Sequence, residues 1–172
     1  MSEPSQPPDH VDRVLEQWAR ERPDLDASPM AVIGRMGRLA RIVEAELNHT
    51  FARHGLDRSS FDVLATLRRS GPPYRLTPGA LTRSSMVTSG AVSQRLDRLQ
   101  ARGLITRTPN ATDRRSMDVA LTDEGHALIE RALPDHLDTE HRLLAPLTDT
   151  QRENLVDALR TLLTTHDHPA DQ

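Results

Sequence analysis

The chain has 172 residues, 36% of them hydrophobic and 2% aromatic, with a formal net charge of −3, so its core must be built from aliphatic side chains. It contains no cysteine, which excludes disulfides, thiolate-ligated zinc and thiol redox sensing. No apolar run reaches membrane-spanning length and Met1–Asp9 is polar and proline-rich, not a signal peptide, so a cytoplasmic location is expected.

The first predicted helix runs from Asp9 to about Arg22, capped by Asp9 and stopped by Pro23, with Val11, Val14, Leu15 and Trp18 on one side. A long helix follows to about His54, with Ser28 as cap, Pro29 in the first turn and Gly55 at the end. Its apolar stripe, from Val32 to Phe51, exceeds what one small domain covers. Ser59–Arg69 is the third helix, broken by Gly71-Pro72-Pro73, and Leu76 reads as part of a short strand.

Thr77-Pro78 opens a short helix to about Ser84, Met86-Val87 form a turn, and Thr88 or Ser89 caps a helix to Ala101 that ends at Gly103. Leu104–Thr108 and Ser116–Leu121 read as strands around the loop Pro109–Asp113. Thr122-Asp123-Glu124 begins another helix that Pro134 is expected to kink or interrupt, and Thr148–Thr165 is the last helix. The expected organisation is a disordered tail over 1–8, N-terminal helices for dimerisation and effector contact over 9–55, a DNA-binding domain over 56–121, C-terminal dimerisation helices over 122–166, and a disordered tail over 167–172.

Helix, turn, basic helix and arginine-tipped hairpin, in that order, describe a mainly α winged helix-turn-helix with a two-stranded wing. The charge distribution agrees. Ten arginines between Arg68 and Arg115 are opposed only by Asp97 and Asp113, a local charge of +8 that leaves −11 elsewhere. In the helix 88–101, Val92, Leu96 and Leu99 recur at helical spacing and face inward, while Ser89, Ser93, Gln94, Arg95 and Arg98 lie opposite. Ser and Gln bond base edges or phosphates, and Arg takes guanine bidentately. An ordinary amphipathic surface helix has the same pattern, but it leaves the turn, the strands and the arginine loop without a common cause. Asp113 and Arg115 are two apart, so the acid is placed to hold one arginine while another reaches a narrow minor groove. Taken alone, that loop also fits a solvated hairpin tip.

FDVLATLRRSG, SGAVSQRLDRLQARGLITR, NATDRRSMDVALTDEG and the helix 148–165 together resemble the MarR family of regulators. The resemblance implies a homodimer with interlocked N- and C-terminal helices, whose two recognition helices meet a pseudo-palindrome. It matches Arg115, held by Asp113, to the family's wing arginine and gives Arg114 a phosphate contact, with Thr88, Ser89, Ser93, Gln94 and Arg98 on the DNA. The chain also resembles the urate-responsive branch, whose Trp, Asp and two Arg positions fall on Trp18, Asp62, Arg95 and Arg107. That implies a small planar anion as effector, stacked on Trp and held by arginines. Core packing for Trp18, a helix N-terminal charge for Asp62 and a phosphate contact for Arg95 are the plain alternatives.

The eight histidines show no i, i+4 ligand pair, and no nucleophile–base pair or phosphate loop stands out, so no metal, cofactor or enzymatic activity is expected. The expected function is a DNA-binding transcriptional repressor released by a planar anion; the alternative is a constitutive DNA-binding factor without effector.

Overall fold

The computed structural model describes residues 7–85, 92–110 and 117–166, and for residues 92 and 93 the backbone alone. It contains helices α1 (His10–Glu21), α2 (Met30–Arg53), α3 (Arg58–Arg69), α4 (Pro78–Ser84), α5 (Val92–Ala101), α6 (Asp123–Leu144) and α7 (Asp149–His166). The strands are β1 (Arg75–Leu76), β2 (Ile105–Pro109) and β3 (Met117–Leu121). The chain divides into two compact units, Met1–Glu46 and Leu47–Gln172.

In the first unit, Asp9 caps α1 by accepting from the Val11 and Asp12 backbone N–H groups at 2.7 and 3.1 Å, while Asp12 accepts from the Asp9 N–H at 2.8 Å. These reciprocal bonds satisfy donors that a helix start leaves open. Arg35 of α2 donates to both carboxylates, at 2.9 Å to Asp9 and 2.6 Å to Asp12. The Asp12 N–H and the Arg35 guanidinium together hold the Asp9 carboxyl below its ordinary range. Val11 is buried over Gly34, where an added Cβ would lie 3.3 Å from a Val11 methyl. α2 begins at Met30, and just before it the Ser28 backbone N–H donates to the Asp26 carboxylate at 2.9 Å, an Asx turn.

The second unit is built around Phe51, Leu64, Leu67, Leu81, Leu99, Ile105, Val119 and Ile129, all buried. Fully burying each such side chain is worth roughly 1.5–3 kcal/mol. Phe51 stacks on Phe61 with ring centroids 4.4 Å apart, and the His136 ring lies 4.7 Å from Phe61. The strands form one antiparallel sheet in the order β1–β3–β2, so the two expected wing strands carry a short third one containing Leu76. Gly125 is required near the start of α6, because a Cβ there would lie 1.9 Å from the Leu104 carbonyl oxygen.

Pro134 does not interrupt α6, which runs unbroken through it. The residues just beyond are tied to the C-terminal end of α2 and the residue that follows it: Asp135 bonds His54 at 2.9 Å, and Thr139 bonds Thr50 at 2.8 Å in a buried site. Those ties hold the helix across the backbone bond that proline removes.

Candidate nucleic-acid interface

Two capped helices lead into α5. Asp57 accepts from the Ser60 N–H at 2.7 Å to start α3, and Thr77 accepts from the Ala80 N–H to start α4, with Pro78 in the first turn. Arg69 of α3 donates to the Ser84 carbonyl oxygen and closes the far end of α4. On α5, Leu96 and Leu99 are buried, and Arg102 just beyond it donates to the Gly55 carbonyl oxygen at 2.8 Å. The helix is thus fixed by an apolar inner side and a C-terminal tether.

Its other side carries the expected reading residues. Gln94 and Arg98 are exposed and Arg95 is half-exposed. Together with Asp57 and Ser59 they line a polar cleft of about 190 Å³ between α5 and the start of α3. A neighbouring cleft of about 310 Å³ brings Gly55, Ser60 and Arg102 to the same Arg98. Arg95 and Arg98 on one helix surface, beside Gln94 and Ser59, suit phosphate and base-edge bonding. Thr88 and Ser89 lie outside the described residues, and Ser93 is described only as α5 backbone.

The wing is held on both faces. Along its ladder Arg107 pairs with Val119 and Thr108 with Asp118. Side chains alternate across a strand, so Arg107 shares the face of the buried Val119. There its guanidinium meets the Asp97 carboxylate of α5 at 2.5 Å. On the opposite face Asp118 is buried, accepts from the Asn110 amide at 2.8 Å and lies 3.8 Å from the Arg75 guanidinium of β1. The expected wing-tip residues Asp113, Arg114 and Arg115 lie outside the described residues.

The four residues matched to an effector site are placed as follows. Trp18 belongs to the first unit and is 42% exposed, so it is not part of a buried core. In the second unit Asp62 is buried at 8% exposure on α3, Arg95 lines the cleft with Asp57 and Ser59, and Arg107 pairs with Asp97. The two arginines therefore have different partners. Asp97, Asp57 and Arg102 lie beside these residues, and sequence reasoning gave them no role. The one signal for Asp97 is its place ten residues before Arg107 across the Gly103 turn. Among the described residues no group of His, Asp and Glu is placed to hold a metal, and no helix is long and apolar enough to cross a membrane.

Comparison with known proteins adds to this geometry. Residues 54–116 match the family model described as MarR family. The HTH-type transcriptional regulator PecS of Dickeya dadantii is 39% identical over 145 residues, covering 84% of this chain and 87% of that protein. Sco3205 of Streptomyces coelicolor, a MarR family regulator solved in complex with DNA, superposes with a TM-score of 0.77 at 25% identity, covering 86% of this chain and 96% of that one. BpsR of Bordetella bronchiseptica, solved in a study of its regulation of DNA binding by 6-hydroxynicotinic acid, gives a TM-score of 0.69 at 25% identity, covering 76% and 91%.

Proposed function

This chain belongs to the MarR family of transcriptional regulators, and on that premise we propose that it is a homodimeric, ligand-released repressor acting in the cytoplasm on a pseudo-palindromic operator. The observation that carries the reading is the surface of α5. Its apolar side is consumed by the core, while Gln94, Arg95 and Arg98 face outward beside a wing fixed to the same helix. In this reading α5 enters the major groove with Ser93, Gln94 and Arg98, and Thr88 and Ser89 are further DNA contacts. Arg115, steadied by Asp113, enters the minor groove, and Arg114 meets a phosphate. Residues 56–121 then form the DNA-binding part, and the helical segments 9–55 and 122–166 the dimerising part.

The dimer is supported by apolar side chains left exposed on α2 (Val32, Ile33, Leu39, Ile42) and on α7 (Val156, Leu162, Leu163). The effector is a planar anion, in keeping with the aromatic acid named for BpsR. Asp62, Arg95 and Arg107 are its proposed polar contacts and Trp18 its proposed stacking partner.

The test is fluorescence anisotropy on DNA flanking the gene, in a salt series, repeated with urate, salicylate and 6-hydroxynicotinate. Specific binding that one of these anions weakens is the expected result. Arg115→Ala should lower affinity and flatten the salt dependence by about one unit of log–log slope. Specific binding that none of a broad panel of planar anions weakens removes the effector and leaves a constitutive DNA-binding factor. No specific binding removes the reading altogether.

A further inference from the structure

We propose that Asp97 is a positioning residue for DNA reading: by holding Arg107 of the first wing strand, it sets the angle between the recognition helix and the wing. The inference rests on the DNA-binding reading above and adds to it a residue that need not touch DNA.

The geometry is that of a V. The chain leaves α5 at Ala101, turns at Gly103 with φ of +70°, and enters β2 at Ile105. The Leu104 N–H bonds back to the Leu99 carbonyl oxygen at 3.0 Å, which secures the vertex. Asp97 and Arg107 join the two arms further out, closing a span of ten residues at 2.5 Å. On its far side the wing is tied by Asp118, which accepts from Asn110 at 2.8 Å and lies 3.8 Å from Arg75. What remains adjustable is the opening of the V, and the ion pair spans that opening.

The two partners are unequal. The Asp97 side chain is 67% exposed and that of Arg107 22%. Arg107 Nε is buried and has no hydrogen-bond partner among the described residues. Ion pairs exposed on both sides add little to stability, but here the carboxylate compensates a largely buried cation, and removing it strands that cation. Asp97 also carries a general cost. It is a negative charge on the helix that approaches phosphates, in a stretch where ten arginines attract them. A residue that weakens general attraction while fixing the relative placement of two DNA-reading elements trades affinity for discrimination.

The experiment uses the full chain. A duplex is selected by the wild-type protein from a random pool and compared with a scrambled duplex of equal length and composition; the readout is the ratio of the two affinities. Asp97→Ala should lower that ratio roughly tenfold, as much as one well-placed bidentate bond to a base supplies, while scrambled-duplex affinity stays the same or rises. Asp97→Glu should keep the ratio, and Asp97→Arg combined with Arg107→Asp should recover most of it. Arg107→Met, which removes the cation without stranding it, should lose the ratio while keeping the thermal midpoint, which separates loss of the clasp from loss of the fold. If Asp97→Ala or Arg107→Met discriminates like the wild type, the inference is overturned. If the wild type selects no duplex, the DNA-binding reading fails instead, before any variant is made.

Discussion

Two helices of the second unit, α5 and α7, both carry leucines at helical spacing and meet opposite fates. In α5, Leu96 and Leu99 find their partners within the chain, and Leu99 is 1% exposed. In α7, a longer helix, no residue is buried, and Leu163 is 60% exposed. Leu155, Val156 and Leu162 are exposed with it. Hydrophobic periodicity reports that a helix has an apolar side, and is silent on whether the same chain covers it. The difference separates a helix with an outward polar surface from one whose outward apolar side chains stay exposed.

The comparison breaks first at the core. Leu99→Ala should destabilise the protein by about 2–5 kcal/mol in denaturant titrations, independently of protein concentration. Leu163→Ala should instead act through association, so its effect on the melting midpoint should grow with protein concentration. Equal, concentration-independent losses would mean that α7 is covered within its own chain.

A sharper cut introduces charge on the exposed side of α7. Leu162→Asp with Leu163→Asp should move the sedimentation profile from dimer to monomer at micromolar concentration, with helical circular dichroism retained. A dimer that survives this pair would place the interface elsewhere.

On α5 the complementary change is Arg98→Ala, which touches the exposed side alone. Operator affinity should fall by about 1–3 kcal/mol if Arg98 takes a guanine, with discrimination relaxed at that position. A uniform loss across sequences, with a shallower salt slope, would reassign it to a phosphate. The thermal midpoint should stay within the scatter of the wild type.

The smallest effect concerns pH. Burial holds the His136 pKa below the ordinary histidine value, opposed by Glu140 3.2 Å away and assisted by Arg58. As pH falls through the unfolded value of about 6.5, the unfolded chain takes up a proton that the folded ring does not yet accept. Stability is therefore lost from there down to the folded value. His136→Phe should keep the stack with Phe51 and Phe61 and reduce the change in melting midpoint between pH 8 and pH 5.5. An unchanged pH slope would move that dependence to the other histidines.

Much of this architecture was legible in the residues themselves because its signals are local. Asp9, Asp57 and Thr77 accept from N–H groups within three residues, and Gly55 and Gly103 take the left-handed backbone that ends a helix. The apolar spacing of Leu96 and Leu99 named the buried side of α5, and with it the outward placement of Gln94 and Arg98. Thr122 was legible as the start of α6 for the same reason, accepting from the Gly125 N–H at 3.0 Å.

What tertiary structure decided is everything that depends on competition between partners. Pro134 has the chemistry of a break, yet α6 continues because Asp135 and Thr139 are anchored on His54 and Thr50. Arg107 and Arg95 are both arginines near α5, yet Arg107 pairs with the Asp97 carboxylate while Arg95 lines a cleft with Asp57 and Ser59. A side chain's type states which bonds it is able to make; which of them it makes depends on which partner the fold brings within about 3 Å, the range over which a hydrogen bond forms.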